Sequence, residues 1–301
     1  MMDSDDAVTV IMPTLARKER AGLLKRSLES VLTQQGVRAM PLVVVNGDER
    51  DARLVEALKH DARIRVVFAD EASIPGALRL GRSHVDTPWL AALDDDDVLL
   101  PGALLARTVA LKHRPDCVAV VTNGFRRETS RDTLHVRDFA DVRRDPLRSV
   151  LKLNWLLPGS WLSRTAALDD VVFQRMPRFL ECTYLAIRFA TTHRTCFLDV
   201  PTVAWSTDTL GSESKSRQYR LGTEAALNRI LELELPSDVR HAFTRKLADA
   251  RHFAAALYLQ EGNRRAAWDS HLRSLRGPAW WRYLTFTPRL LLTAWPRVPR
   301  A

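Results

Sequence analysis

The sequence predicts an α/β domain built on a mostly parallel sheet that helices cover on both faces, followed by a helical C-terminal extension. In the first 125 residues, short apolar stretches alternate with amphipathic ones, which is the order that strand–helix units produce. The apolar stretches are almost continuously hydrophobic, as is typical of strands that are buried on both faces. Polar residues follow several of these stretches, at the carboxyl ends of strands, where such sheets bind ligands.

Five strands are predicted, at VTVIM (8–12), PLVVVNG (41–47), IRVVF (64–68), PWLAAL (88–93) and CVAVVTN (117–123). Helices are predicted between successive strands, at AGLLKRSLESVLTQQG (21–36), RDARLVEALKHD (50–61), PGALRLGRSHV (75–85) and PGALLARTVALKH (101–113). We expect the first strand to stop at Pro13. We expect the third helix to begin near Pro75, because proline is favoured in the first turn of a helix.

The chain is less regular from residue 126 to about residue 220 and then becomes helical again. Apolar positions three and four apart predict helices at LGTEAALNRILELEL (221–235), PSDVRHAFTRKLADARHFAAALYLQEGN (236–263) and RRAAWDSHLRSLRG (264–277). The last stretch, from Pro278, is rich in arginine and tryptophan. We therefore expect a first domain over residues 1–218 and a helical extension over residues 219–301.

The composition limits the classes of function. The net charge of +9 favours anionic partners, such as phosphorylated ligands or an acidic membrane surface, but no nucleic-acid motif or regular basic stripe supports a nucleic-acid partner. The cysteines, Cys117, Cys182 and Cys196, show no CxxC spacing, so neither a disulfide framework nor a zinc site is expected. The sequence starts without an apolar secretory segment and has no long apolar run, so we expect a cytoplasmic protein without membrane spans.

Four adjacent aspartates, Asp94–Asp97, directly follow a predicted buried strand. Clustered carboxylates need a cation, and Mg²⁺ or Mn²⁺ prefers oxygen ligands of this kind. Alternation along an extended segment places Asp94 and Asp96 toward one ligand and turns Asp95 and Asp97 elsewhere. The alternative is a solvated acidic turn that caps the helix beginning near Pro101. Other polar residues at predicted strand ends favour a site for a metal ion and a diphosphate.

The motifs VTVIMPTLAR, SLESVLTQQG, LVVVNGD and LDDDDVLLPGAL, in this order, resemble the family-2 glycosyltransferases, which have the GT-A fold, a Rossmann-like mixed sheet flanked by helices. The resemblance is good over residues 8–125 and weaker to about residue 216. It implies transfer of a sugar, with inversion and metal assistance, from a UDP-, dTDP- or GDP-sugar to a sugar or lipid-linked acceptor. It further implies a role in cell-surface polysaccharide or glycoconjugate biosynthesis.

The resemblance also implies a set of nucleotide-binding residues, which are Pro13, Thr14, Arg17, Asn46, Asp48, Arg79, Asp94 and Asp95. Pro13 and Thr14 are expected to line the nucleobase pocket, and Arg17 to approach the diphosphate. Asn46 and Asp48 stand at the exit of the second strand, where VNGD replaces the acidic turn of the family. The identity of the base therefore stays open.

The metal ligands that the resemblance implies are Asp94 and Asp96. By its distance from Pro101, Asp96 matches the metal-binding aspartate of the family, while Asp94 matches the first aspartate of the motif, which contacts ribose or metal. Arg79 lies where the family often carries an arginine, and it is expected to neutralise phosphate charge. The alternative for Arg79 is a solvated position on the surface of a helix.

The expected catalytic base is Glu181. The family takes this base from an acidic pair, and here Cys182 occupies the second place, although a thiol with a pKa near 8.5 is a poor substitute for a carboxylate. Two alternatives stay open. One of Asp169, Asp170 and Asp199 serves instead, or the protein binds its sugar nucleotide without transferring the sugar.

Other enzyme classes with similar alternation are disfavoured, because IMPTLARKER after the first strand contains no glycine. Sugar-phosphate nucleotidyltransferases and dinucleotide oxidoreductases both need a glycine-rich loop there. The segment Ser206–Arg217 resembles the loop that closes over the diphosphate in this family; the alternative is a flexible linker. The C-terminal tail, with Trp280, Trp281 and Trp295 among arginines, predicts peripheral contact with an anionic membrane at the inner face of the cell membrane, or else packing on the helical region or an oligomer contact.

Overall fold

A computed structural model describes residues 6–129, 131–168, 170–209 and 211–292. The chain divides into two compact units, Met1–Leu210 and Gly211–Ala301. Residue 218, where the sequence predicts the end of the first domain, lies in the helix Arg217–Leu231.

The first unit is built on one mixed sheet. Its nine strands, counted over the residues that the structure describes, are β1 (Ala7–Thr14), β2 (Arg38–Asn46), β3 (Arg65–Ala69), β4 (Trp89–Ala92), β5 (Val98–Leu99), β6 (Ala119–Glu128), β7 (Arg131–Leu134), β8 (Trp161–Arg164) and β9 (Thr195–Ser206). The sheet order is β3-β2-β1-β4-β8-β6-β9-β5, with β7 paired to β6. β3, β2, β1 and β4 are parallel, whereas β8 joins them to β6 through antiparallel pairs. The predicted mixed sheet is confirmed.

The helices of the first unit are α1 (Ala21–Leu32), α2 (Ala52–His60), α3 (Ile74–Ser83), α4 (Ala103–Lys112), α5 (Phe139–Arg144), α6 (Pro146–Lys152), α7 (Val171–Gln174) and α8 (Glu181–Thr191). The first four follow the predicted positions. Asp51 caps α2 by accepting from the Leu54 N–H, and Ser73 caps α3 by accepting from the Gly76 N–H. Each cap satisfies a backbone donor that the helix itself leaves unpaired.

The prediction that β1 stops at Pro13 is wrong, because the strand continues to Thr14. Leu93 N–H donates to the Ile11 carbonyl, so Ile11 faces β4. Since alternate residues face the same neighbour, the Pro13 nitrogen also points to that side. The pairing with β4 already ends at Ile11, so the missing N–H of proline removes no hydrogen bond from the ladder.

The structure contains a disulfide that the cysteine spacing did not predict, because Cys117 and Cys196 are bonded to each other. β9 runs parallel to β6, and Val118 N–H donates to the Arg194 carbonyl across the two strands at 2.8 Å. This pairing brings together two cysteines that are 79 residues apart in sequence. Cys182 is a free thiol.

The second unit is helical. It consists of α9 (Arg217–Leu231), α10 (Ser237–Gln260), α11 (Arg264–Ser274), a 3₁₀ helix (Trp280–Phe286) and α12 (Thr287–Leu292). α10 packs against both α9 and α11, and Glu224 of α9 accepts from Arg251 at 2.8 Å and from Arg273 at 2.7 Å. Within the described ranges, no helix is both long and apolar enough to cross a membrane.

Candidate functional site

The aspartate run forms a tight turn just beyond β4. Asp97 N–H donates to the Asp94 carbonyl at 3.2 Å, so the segment does not stay extended. One carboxylate oxygen from each of Asp94, Asp96 and Asp97 lies within 4.8 Å of the others. The expectation that Asp97 faces away from Asp94 and Asp96 is therefore wrong, because strict alternation holds only for an extended chain.

Asp95 is the aspartate that points away from this cluster. Its carboxylate accepts from the Thr14 hydroxyl at 2.6 Å and forms an ion pair with Arg20. Arg20 also lies 3.3 Å from Asp96. Thr14 in turn accepts from the N–H of Ala16, which has a left-handed backbone with φ 46°. The contacts of Asp95 are thus made within the protein, and they tie the turn to the end of β1.

Asp97 is fully buried and only partly satisfied. Its Oδ1 accepts from the Ser206 N–H at 2.8 Å, whereas its Oδ2 has no hydrogen-bond partner among the described residues. Burial and the neighbouring Asp94 and Asp96 carboxylates hold the pKa of Asp97 well above its usual range. An orphaned carboxylate oxygen in the interior needs a counter-charge.

The carboxylate of Asp94, like that of Asp97, needs a counter-charge. Burial, followed by the charges of Asp96, Asp95 and Glu181, raises the pKa of Asp94 to about 8. Three oxygen donors of this kind suit a hard divalent cation such as Mg²⁺ or Mn²⁺. The residues present therefore fit such an ion, with Asp94, Asp96 and Asp97 as the ligands.

Side chains of α1 and β9 donate hydrogen bonds to backbone carbonyls of the aspartate turn. The Ser27 hydroxyl donates to the Asp94 carbonyl at 3.0 Å, and Arg26 donates to the Asp96 carbonyl at 3.1 Å. The Ser206 hydroxyl, at the end of β9, also donates to the Asp96 carbonyl at 2.8 Å. The sequence patterns did not point to Arg20 and Ser27, and they included Ser206 only as the first residue of the predicted loop Ser206–Arg217. A serine on the apolar face of α1 was the one available signal for Ser27, because Leu24, Leu28 and Val31 bury the same face.

Glu181 begins α8 and lies near the aspartates, since its charge contributes to the raised pKa of Asp94. Its Oε1 accepts from the Phe179 N–H at 2.8 Å. Burial and the charges of Asp94, Glu181 and Asp97 raise the pKa of Cys182 well above its usual value. The Cys182 thiol therefore stays neutral at physiological pH and cannot act as a base.

The nucleotide-binding candidates at the strand ends differ in exposure. Asn46 is buried, and its amide donates to the Thr14 carbonyl at 3.1 Å, whereas Asp48 is exposed just beyond β2. Pro13, at the end of β1, is buried. Arg17 forms an ion pair with Glu49 and lines an open pocket together with Lys18, Glu19, Arg50 and Asp51. This pocket opens beside the carboxyl ends of β1 and β2.

The other residues that the sequence analysis considers for the site are Arg79, Asp169, Asp170 and Asp199. Arg79 is exposed on α3. Asp170 is largely exposed and forms an ion pair with Arg82 at 3.1 Å, and Asp199 accepts from Asn123 at 2.9 Å. Asp169 lies outside the described residues.

Comparisons with known proteins agree with this fold. The chain resembles the succinoglycan biosynthesis protein ExoO of Rhizobium meliloti (strain 1021), with 34% identity over 102 residues. That match covers 33% of this chain and 29% of the relative, so the chain spans less than a third of the relative's length. The crystal structure of S. aureus TarS 1-349 in complex with UDP-GlcNAc has a TM-score of 0.53 at 14% identity, covering 88% of this chain and 80% of that one.

A second TarS crystal structure has a TM-score of 0.51 at 13% identity, covering 88% of this chain and 54% of that one. At such identities the likeness shows the fold alone, which is the GT-A arrangement of a mixed sheet flanked by helices. The model of the family described as "Glycosyl transferase family 2" matches residues 9–168, more than half of the 301 residues. The chain therefore belongs to glycosyl transferase family 2.

Proposed function

We propose that the protein transfers a sugar from a nucleotide-diphosphate sugar to an acceptor hydroxyl with inversion, using Mg²⁺ or Mn²⁺ at Asp94, Asp96 and Asp97. The observation that carries this proposal is the cluster of three carboxylates, one with an orphaned buried oxygen, beside Glu181. The cluster lies where α/β sheets bind their ligands, beyond the carboxyl end of β4.

The donor is proposed to bind along the ends of β1 and β2. Arg17, Lys18 and Arg50 line the pocket there and provide positive charge for a diphosphate. The buried Asn46 uses its amide N–H groups within the strand end, which leaves its carbonyl oxygen as an acceptor for a base edge. A divalent cation at the aspartates supplies Lewis-acid stabilisation of the nucleoside diphosphate as it leaves.

Glu181 is proposed to accept the proton of the acceptor hydroxyl. An inverting transfer needs one carboxylate on the side opposite the leaving group. The hydrogen bond from Phe179 N–H to Glu181 Oε1 orients the carboxylate at the start of α8. Cys182, the neighbouring side chain, carries no charge and leaves this role to Glu181.

The comparisons support a nucleotide sugar as the donor and a polysaccharide as the product. UDP-GlcNAc is the ligand in the TarS complex, and ExoO is described as a succinoglycan biosynthesis protein. We therefore propose a UDP-, dTDP- or GDP-sugar as the donor and a sugar or lipid-linked acceptor. The product is a cell-surface polysaccharide or glycoconjugate that is assembled on the cytoplasmic side.

A first experiment identifies the donor and tests the base. Thermal shifts are measured with UDP-, dTDP- and GDP-sugars, with and without Mn²⁺, and transfer is then measured for Glu181→Gln. We expect one nucleotide sugar to stabilise the protein in the presence of Mn²⁺. We also expect Glu181→Gln to bind it normally while turnover falls by about 10²–10⁴-fold.

Asp170→Asn is the control for this experiment, because the Asp170 side chain is largely exposed and pairs with Arg82. Its turnover should match that of the unmodified protein. Unchanged turnover in Glu181→Gln would exclude Glu181 as the base. Absence of any metal-dependent shift with every nucleotide sugar would contradict the proposed donor site.

A second candidate function is that of a catalytically silent protein that binds nucleotide sugars. The neutral Cys182 thiol beside the aspartates, in the second position of an acidic pair, favours this candidate. The two functions differ in one simple measurement, the slow metal-dependent hydrolysis of the bound donor. Hydrolysis by the unmodified protein supports the enzyme, and binding without hydrolysis or transfer supports the silent protein.

A further inference from the structure

The segment Trp280–Leu292 is attached to the helices of the second unit by three of its side chains. Tyr283, Phe286 and Leu290 are all at least nine-tenths buried. Phe286 and Leu290 pack with Ala255 and Ala267, and the Tyr283 hydroxyl donates to Asp249 at 2.7 Å. The segment is therefore an ordered part of this unit.

Five other apolar side chains of the same segment point outward. Their exposed fractions are 48% for Trp280, 62% for Trp281, 43% for Leu284, 57% for Leu291 and 76% for Leu292. We call these five residues the tryptophan face. A 3₁₀ helix has three residues per turn, so Trp281 and Leu284 share one side and Tyr283 and Phe286 share the buried side. Trp280 is in line with the buried residues but lies at the start of the helix, where it is 48% exposed.

Positive charge accompanies the tryptophan face. Arg276, Arg282 and Arg289 are exposed within or next to the segment, and the sequence contains no acidic residue after Asp269. Asp249 accepts from the Tyr283 hydroxyl and also lies 3.8 Å from Arg282, while Asp269 pairs with Arg273 at 2.9 Å. The surface around the tryptophan face is thus basic.

We propose that the tryptophan face binds the surface of an anionic lipid bilayer. Tryptophan is favoured at the level of the headgroups, where one side of the ring is apolar and the other is wet. Exposed arginines attract anionic lipids, and leucines beside them add apolar area to the contact. Since the described residues contain no helix able to cross a membrane, this contact is peripheral.

Charge complementarity favours a bilayer over a second copy of the chain. Two copies joined through the tryptophan face would bring the arginines of both copies together, and like charges that meet across an interface weaken it. An anionic lipid surface instead provides negative charge at every position around the face. If the proposed function also holds, this contact keeps the enzyme close to a lipid-linked acceptor.

The test is co-sedimentation of the full chain with vesicles of phosphatidylcholine, with and without added phosphatidylglycerol. We expect binding to the anionic vesicles and little binding to the neutral ones. Trp280→Ala with Trp281→Ala should lower the partition coefficient at least tenfold. Arg282→Gln with Arg289→Gln should lower it about 25-fold, because each arginine near the surface contributes about fivefold.

Matched controls come from the same unit. Phe253→Ala removes an aromatic side chain that is 47% exposed on α10, and Arg264→Gln with Arg265→Gln removes two exposed arginines at the start of α11. Both controls should bind the anionic vesicles like the unmodified chain. Melting curves of all variants verify that each one is folded, and the substituted positions are exposed enough for folding to persist.

Three outcomes overturn the proposal. The first is that the chain sediments with neither kind of vesicle, and the second is that it binds both kinds equally. The third is self-association that Trp280→Ala with Trp281→Ala abolishes, without any binding to lipid, because the face is then a contact between copies. The vesicle test does not measure sugar transfer. A negative result would therefore overturn the lipid-binding proposal without affecting the proposed glycosyltransferase function.

Discussion

Two residues of the aspartate run, Asp95 and Asp97, differ in how fully their buried carboxylates are partnered. Asp95 is buried, and its carboxylate forms an ion pair with the partly buried Arg20. Asp97 is buried with one oxygen unpartnered among the described residues, beside the carboxylates of Asp94 and Asp96. Removing one partner of the ion pair would leave the other charge unpaired, whereas the unpartnered oxygen of Asp97 already costs stability.

Substitutions at Asp95 and Asp97 should therefore change stability in opposite directions. Without metal, Asp97→Asn should raise the melting temperature by about 2–4 °C, or about 1 kcal/mol, because it removes a buried charge and keeps an acceptor for Ser206 N–H. Asp95→Asn should lower the free energy of unfolding by about 2 kcal/mol, because Arg20 loses a charged partner.

The measurement is thermal unfolding with and without Mn²⁺. The unmodified protein should be stabilised by Mn²⁺ to a degree that grows with its concentration. Asp97→Asn should lose most of this response. A similar loss of stability for both variants without metal would contradict the assignment of Asp97 to the metal site.

At the scale of single residues, the cation site stays a prediction, and the geometry of the aspartate turn differs from the one that the sequence predicts. Four carboxylates after a buried strand were enough to predict a cation, but alternation assigned Asp97 to the wrong side because the turn between Asp94 and Asp97 depends on its surroundings. Arg20 pairs with a residue 75 positions away, and Ser206 with one 110 positions away. No local pattern encodes pairs at such separations.

Among the elements that contribute to the site, β9 was not predicted as a strand. It carries Ser206, which holds the aspartate turn, and Cys196, which bonds to Cys117. Asp199 and Pro201 interrupt its apolar pattern, and its pairing with β6 shifts register on either side of Asn123. The apolar pattern and the composition of the sequence identify regular, buried strands such as β1 and β2. An irregular strand such as β9 is recognised only from its hydrogen-bonded pairing in the structure.

The helical elements of the second unit contain two histidines in apolar surroundings. The His252 ring lies 4.9 Å from the ring of Tyr283 and 5.1 Å from that of Phe286, and the His271 Nε2 lies 2.9 Å from the Thr287 hydroxyl. Burial lowers the pKa of both histidines. Both rings contact the segment Trp280–Leu292, so their protonation affects how this segment is held.

Acid should weaken the packing of α10, α11 and this segment. The unfolded chain takes up protons on both histidines at a pH of about 6.5, while the folded protein takes them up only at lower pH. Between these values the unfolded state binds more protons, so the stability is complete above about pH 6.5 and declines as the pH falls toward the folded pKa values. Hydrogen exchange in α10 and α11, corrected for the intrinsic effect of pH, measures this decline.

His252→Phe tests the cause of the decline, because phenylalanine keeps an aromatic ring against Tyr283 and Phe286 but cannot be protonated. Its exchange should depend less on pH than that of the unmodified protein. His241→Gln, at an exposed position of the same helix, is the control and should leave the dependence unchanged. Equal pH dependence in His252→Phe and the unmodified protein would exclude His252 as a cause.

The two proposed binding sites, one for a metal ion and one for a lipid surface, lie in different compact units of the molecule. All the proposed metal ligands, and Glu181, lie in Met1–Leu210, whereas the tryptophan face lies in Gly211–Ala301. In its described part, the connection between β9 and α9 contains a short 3₁₀ helix, Glu213–Lys215, and Lys215 is exposed there. An exposed connection of this kind is a preferred site of proteolysis.

Limited trypsin digestion should therefore cut the full chain first after Lys215 and leave two folded fragments. The fragment with Asp94, Asp96 and Asp97 should keep the stabilisation by Mn²⁺, and the fragment with the tryptophan face should keep the binding to anionic vesicles, because each function uses residues of one unit. Lys215→Gln, as a control, should delay this cut without changing either activity. Early cleavage inside α10 or the sheet, or loss of both activities on cutting, would show that the units do not act independently.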